Sequence, residues 1–193
     1  MDQRAELQTI VHGSPLLAPI LSDWERIALP EAWLAAGAVA QTVWNHAFGF
    51  PPMHGINDID LVYFDGNDLS EDAEATHSAR IRRVFADVLV SIDVKNEARV
   101  HLWYAEKFGA PLDPYGSSEE AIATFPTTAT AFGIRPSSKG LEVCAPFGLR
   151  DLLAPVVRAN RKQITREIYE RKTDRWRTVW PALRIESWDQ QPD

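Results

Sequence analysis

The sequence predicts an α/β chain, with an α+β character toward its C-terminus, in which short buried strands alternate with amphipathic helices. Three stretches carry this expectation. Ile59 to Phe64 is a β-branched and aromatic run broken only by Asp60, the composition of a buried strand. Ala32-Trp33-Leu34-Ala35-Ala36 is a second short apolar run, and the helical pattern that follows Gly37 makes a strand–turn–helix unit. Val90-Ser91-Ile92-Asp93-Val94 supplies a third strand candidate. The 193 residues are 45% hydrophobic, enough for one sizeable core.

Taken in order, Ala5 to Val11 reads as a short helix, and Ser14-Pro15 as an N-cap and first-turn proline opening a helix through about Ile27. Leu17, Ile20, Leu21 and Trp24 recur at helical spacing along it. After the strand at 32–36, Gly37 permits a tight turn and close ligand approach, and the helix from Ala38 presents its first amides to phosphate oxygens. Gly49 and Pro51-Pro52 end that helix. Ser70 caps a helix to about Leu89 with Ile81, Val84, Phe85 and Val88 as its apolar stripe. Asn96 caps a helix containing Arg99, His101, Leu102 and Trp103, and Ser117 opens another over roughly Glu119 to Phe125. Thr128 to Arg135 and Leu141 to Ala145 flank Pro136-Ser137-Ser138-Lys139-Gly140 as a hairpin with a longer turn. Gly148 onward is expected to be helical, interrupted near Pro155, with a last amphipathic helix over about Gln163 to Trp176 and a polar, frayed tail after Trp188. This divides the chain into a core with N-terminal helices, 1–110, and a C-terminal hairpin with helices packed on it, 111–193.

The chemistry concentrates in the acids. Strand side chains alternate, so Asp58 and Asp60 point to one side, where they repel unless a cation lies between them. An isolated Asp-x-Asp is most often turn and strand-entry chemistry; the third acid, Asp93, inside another apolar strand strengthens the metal reading. Net charge is −7, which argues against general nucleic-acid binding. The charge is uneven, however: Arg150 to Arg184 carries ten Lys/Arg and four Asp/Glu, a local +6. That segment can meet an anion, or pair as a solvated face with the acidic body. No apolar run approaches bilayer length, no signal-peptide pattern stands at the N-terminus, and the single Cys144 excludes an internal disulfide, all of which fit a cytoplasmic protein. Cys144 reads as a small core residue of a strand. His54 offers a ligand contact or an exposed loop residue, and His46 and His101 ordinary packing or surface roles. Trp44 and Trp103 can stack on a base or fill the core.

Gly37 ahead of a helix, Asp58-Ile59-Asp60-Leu61, and Ile92-Asp93-Val94 together resemble the core of the DNA polymerase beta-like nucleotidyltransferase superfamily. The whole chain resembles, more narrowly, a bacterial nucleotidyltransferase-like family, formerly a domain of unknown function. The matching stretches are Gly37-Ala38 with Thr42-Val43-Trp44, Asp58 through Asp65, Asn96 to Tyr104, Ser117 to Ile122 with Thr128-Ala129-Thr130, and Trp176 to Pro181. The resemblance implies a mixed sheet flanked by helices with a mainly helical C-terminal part. It implies Asp58, Asp60 and Asp93 as metal ligands and catalytic acids, Gly37 and Ala38 at the nucleotide, and Mg²⁺ or Mn²⁺ as cofactor. Two such ions neutralise a triphosphate and activate the attacking hydroxyl. Arg99 is expected at a phosphate or paired with a core acid, and Arg161, Lys162 and Arg166 near the triphosphate. Two departures are visible: Ala38 stands where the superfamily often has Ser or Gly, and Asp58 comes 21 positions after Gly37, longer than usual in the superfamily.

The expected function is metal-dependent transfer of a nucleoside monophosphate from an NTP to an unknown, small-molecule acceptor. The alternative is a catalytically silent nucleotide-binding or interaction module on the same fold, toward which Ala38 leans. Direct nucleic-acid processing rests only on the basic C-terminal segment.

Overall fold

A computed structural model describes residues 2–190. Its centre is a five-stranded mixed sheet of order β3-β2-β1-β4-β5, formed by β1 (Trp33–Ala35), β2 (Asp58–Tyr63), β3 (Ser91–Asn96), β4 (Gly133–Ser137) and β5 (Gly140–Cys144). β2 and β3 run parallel, and the other pairings are antiparallel. The hairpin at 133–144 is therefore joined to the core sheet through β1.

Alternation divides the sheet into two unequal faces. Leu34, Ile59, Leu61, Ile92, Val94 and Ile134 belong to the main core, with residues of α1 (Gln3–His12), α3 (Gly37–Phe48) and α4 (Glu71–Val84). On the other face Trp33, Ala35 and Val62 meet Ile122 of α6 (Ser118–Ile122) in a much smaller cluster. Asp58, Asp60 and Asp93 share that thinly covered face, following the burial alternation of β2 and β3.

The C-terminal helix is α8 (Arg166–Val179), which carries Trp176 and is followed by Trp180. Trp44 of α3 meets Trp176 edge-on at 5.1 Å and Trp180 at 5.5 Å, the geometry that ring quadrupoles favour. Trp180 Nε1 donates to Asn45 Oδ1 at 2.7 Å, and Asn45 Nδ2 donates to the carbonyls of Pro52 and His54. One buried amide thus joins α3, the loop entering β2 and the C-terminal region. His54 belongs to this clasp: it stacks on Phe50 at 4.3 Å and contacts the Val179 carbonyl at 3.0 Å.

Several element boundaries differ from expectation. The helix expected over 14–27 is α2 (Ala18–Ser22) followed by a 3₁₀ turn, Trp24–Arg26. Ser14 Oγ accepts from Leu16 and Leu17 as expected of a cap, but Pro19 lacks the N–H that an interior position needs, so the helix begins at Ala18 with proline in its first turn. α4 stops at Val84, and Leu89 is exposed. Pro136, assigned by sequence to the turn, is in β4 opposite Leu141. β1 is too short to reach it, pairing with β4 only at Gly133 and Ile134, so no ladder bond needs its missing N–H. A small parallel pair, β6 (Val156–Val157) with β7 (Arg184–Ile185), was not expected; it follows the four-residue α7 (Arg150–Leu153). The last helix is shifted to 166–179 because Thr165 caps it. Trp188–Gln190 form a 3₁₀ turn, and the remainder of the expected polar tail lies outside the described residues. No helix among the described residues is long and apolar enough to cross a membrane.

Gly55 tests the clasp. Its φ is +70°, and a Cβ there would fall 2.5 Å from Val179 Cγ1 and 2.8 Å from Trp180 ring carbons. Gly55→Ala adds a disfavoured backbone conformation to an overlap with rigid neighbours and is expected to destabilise the fold by about 2–4 kcal/mol, read by urea unfolding.

Candidate active site

The β2–β3 register brings the acids together. Asp60 lies opposite Asp93 on the neighbouring strand, and Asp58 opposite Ser91. Asp60 is also opposite Ala35, the last residue of β1, so the chain leaving β1 enters α3 directly beside it. The turn between them is tight, but its unusual backbone is at Ala36 (φ 52°, ψ −119°), with Gly37 already the first residue of α3. Sequence reading placed the turn's conformational demand on the glycine. A left-handed alanine costs about 1–3 kcal/mol and is typical of a backbone held in place for function. Gly37 lies beside the acid: its N–H bonds the Asp60 carboxyl, and a Cβ there would sit at ordinary contact distance, 3.7 Å from Asp60 Oδ2 and 3.8 Å from Gln41 Nε2.

Asp60 is the electrostatic centre. Burial first, and then the Asp58 carboxylate, push its carboxyl up to about 6. Lys172 of α8, Asp93 and the Gly37 N–H act on the same group, Lys172 and the amide in the opposite sense to Asp93. Burial in turn pulls Lys172 below its usual range, opposed by Asp60 and Asp58. Both members of this pair are thus moved toward neutrality, as expected where water is excluded from two opposite charges. Lys172 Nζ also lies 5.1 Å over the Trp176 ring, so the tryptophan clasp sets its position.

Three further residues complete the surroundings, and sequence reasoning had named none. Lys172 was hidden in a basic run. Gln41 is buried on the first turns of α3, and its Oε1 has no hydrogen-bond partner among the described residues. Glu97 directly follows β3 in a 3₁₀ turn, Glu97–Arg99, and is 6% exposed. Burial foremost, then Asp60 and Glu74, push it up to about 8. A polar residue spaced four from Gly37 on an apolar helix face was the available signal for Gln41.

Other expected residues have structural partners. Arg99 pairs with Glu74 at 2.7 Å and donates to the Leu69 carbonyl at 2.8 Å, the second of its two expected roles. Arg166 is engaged by Asp189 and by Glu170 at 3.8 Å, and Arg161 by the Trp188 carbonyl. Trp44 is core, whereas Trp103 lines a cavity beside Asp60 and Asp93. Burial pushes the Cys144 thiol up to about 11, consistent with an inert side chain.

A family model described as nucleotidyltransferase matches residues 22–185. The chain belongs to the nucleotidyltransferase family. In three dimensions this nucleotidyltransferase is similar to an NMR structure described as revealing a CCA-adding enzyme head domain, with 26% identity, a TM-score of 0.77 and 95% of each chain covered. It is similar in fold to the Thermotoga maritima CCA-adding enzyme complexed with tRNA, at 14% identity and a TM-score of 0.54, covering 96% of this chain and 43% of that one. No curated protein matches the chain in sequence.

The donor set suits a divalent cation chemically. Asp58, Asp60 and Asp93 are hard oxygen donors on one face, and the orphaned Gln41 oxygen belongs to the same end of α3. Among the described residues no three of His, Cys, Asp and Glu converge on a single coordination point. Asp93 is drawn to Lys95 at 3.3 Å.

The raised Asp60 carboxyl has a stability signature. It takes up a proton on folding, so its cost is absent at low pH, where both states are protonated. The cost grows from about pH 4 to pH 6 as only the unfolded state ionises, and is constant above. Asp60→Asn is therefore expected to raise stability by about 2 kcal/mol at neutral pH and to change little below about pH 3.5, read by thermal melts across that range.

Proposed function

We propose that this nucleotidyltransferase moves a nucleoside monophosphate from an NTP to a small-molecule acceptor with the help of Mg²⁺ or Mn²⁺. The supporting observation is the convergence on Asp60 of a carboxylate pair, the amino end of α3 and the half-buried Lys172. In this reading Asp58, Asp60 and Asp93, which do not converge on one point in its absence, would hold the metal, which would withdraw charge from the triphosphate and lower the pKa of the attacking group. Bound cations also relieve the repulsion that lifts Asp60.

The chain's own residues do the rest. The first amides of α3, at Gly37 and Ala38, face the phosphates with the positive end of the helix dipole. Ala38 contributes no hydroxyl, so this contact is made by backbone alone. Lys172, held against Trp176, adds a point charge on the triphosphate side. The acceptor's oxygen or nitrogen attacks the α-phosphorus, the bond from that phosphorus to the β-phosphate bridging oxygen breaks, and pyrophosphate leaves. The acceptor's proton passes to a carboxylate of the site, of which Asp60 and Asp93 both line the adjoining cavity. Arg99 serves by bracing β3 through Glu74 and has no direct part.

Calorimetric titration of the four NTPs with Mg²⁺ or Mn²⁺ tests the reading. Wild type is expected to bind at least one NTP only when metal is present, and Asp58→Asn/Asp60→Asn to lose that binding. Equal binding by both proteins, or no binding by wild type, would sink the proposal. Lys172→Met is expected to weaken NTP binding about tenfold, or about 1.4 kcal/mol, without changing which NTP is preferred.

A further inference from the structure

We propose that the aromatic cavity beside the carboxylates seats the acceptor, and that it selects a small organic amine whose ammonium is held by Glu97 while a separate hydroxyl of the same molecule is the attacking group. The acceptor role rests on the transferase reading above; the amine preference rests on the cavity itself.

The cavity has a volume of about 280 Å³ and is lined in part by Asp60 and Asp93. Its walls include Trp103, Tyr104, Phe108, Tyr115 and Phe125, with Glu97 beside the acids. Ligand pockets commonly start at roughly 300 Å³, so this one is of a size for a single ring or a short chain. Both tyrosine hydroxyls are already committed. Tyr104 Oη donates to the Gln163 carbonyl at 2.9 Å, and Tyr115 Oη bonds Gln163 Oε1 and Thr124 Oγ1, each at 2.8 Å. What remains for an occupant is chiefly ring surface and the carboxyls, since Lys95, which also lines the cavity, is paired with Asp93.

Glu97 is the decisive group. It is 6% exposed, and among the described residues its carboxylate has neither a hydrogen bond nor an ion pair. The nearest helpful charge, Lys95, is engaged by Asp93 at 3.3 Å. A carboxyl buried without a partner is expensive, and an incoming cation relieves that expense. The surrounding structure holds Glu97 there regardless. Asn96 Oδ1 accepts from Asp65 and Ala98, and Asn96 Nδ2 donates to the carbonyls of Asp65 and Asp68. Glu74 accepts from the Asn96 N–H at 2.7 Å and pairs with Arg99. The turn that presents Glu97 is thus clamped from both sides.

A carboxylate inside an aromatic enclosure is the chemistry that recognises ammonium groups, through charge and cation–π attraction together. The same cluster already holds one cation: Lys107, which does not line the cavity, lies 5.2 Å from the Trp103 ring centroid and 5.5 Å from that of Phe108. A nucleobase in the cavity would find few groups to read its edges and would bring a triphosphate toward Glu97. The acid-lined wall repels that anion, whereas the amino end of α3 and Lys172 attract it.

The test uses benzylamine, benzyl alcohol and benzoate as cationic, neutral and anionic probes of one shape, titrated by NMR into wild type, Glu97→Gln and Trp103→Ala. NTP and Mn²⁺ binding is measured by calorimetry on the same samples. Wild type is expected to bind the amine at least tenfold more tightly than the alcohol, and benzoate more weakly than either. Glu97→Gln should erase that preference, and Trp103→Ala should weaken amine and alcohol alike. Glu97→Gln replaces a buried carboxyl by a neutral group of the same shape and Trp103 is only partly buried, so both variants are expected to fold; melting temperatures check this. Equal affinity for amine and alcohol in wild type overturns the proposal. So does a Glu97→Gln variant that loses NTP affinity while its amine preference survives, which would make the cavity a nucleobase seat. Amine preference in wild type without any NTP binding supports the amine site and sinks the transferase reading alone.

Discussion

The clasp around Asn45 is the constraint on which the rest of this molecule depends. A single carboxamide accepts the Trp180 indole N–H and donates to two carbonyls of the loop that enters β2. The Asn45–Trp180 bond is buried, so leaving either partner unpaired would cost about 1–3 kcal/mol. The bonds draw α3, the Asp58 strand and the C-terminal helix to one place. The three tryptophans then fill the space between them, and Lys172 stands one turn before Trp176 on the same helix. The site's cation is therefore positioned by core packing remote in sequence from the acids.

The sheet accepts an electrostatic cost for its function. One face carries the main apolar core, while the other is covered only in part and leaves Asp58, Asp60 and Asp93 together. Repulsion and burial raise Asp60, and burial raises Glu97 beside it. Apolar side chains at these positions would make a more stable protein. A left-handed alanine at position 36 adds to the strain at the same corner. Cost concentrated at one corner of an otherwise well-packed fold is what a site for charged ligands leaves behind.

The similarity to CCA-adding enzyme head domains covers most of this chain and only part of the tRNA-bound enzyme. The cationic side chains Arg166 and Arg158, which sequence alone leaves available to a nucleic acid, are engaged by neighbouring carboxylates.

By itself the sequence determined the strand carrying Asp58 and Asp60, its β-branched burial, the helix after Gly37 and the third acid at Asp93. Each of these is local, because alternation and helical spacing decide which side a residue faces before any partner is known. Cap residues were equally legible: Ser70, Asn96 and Ser117 all accept from the amides their positions predicted. Tertiary structure alone decided the shortening of the second helix at Pro19, the β6–β7 pair, the positive φ at Ala36, and the roles of Gln41, Glu97 and Lys172. These depend on contacts between residues far apart in the chain. Lys172 is 112 positions from Asp60, and nothing in a basic helical run marks which lysine will lose its water. Desolvation is a property of the assembled fold, and it is desolvation that separates the residues of this site from their neighbours of the same type.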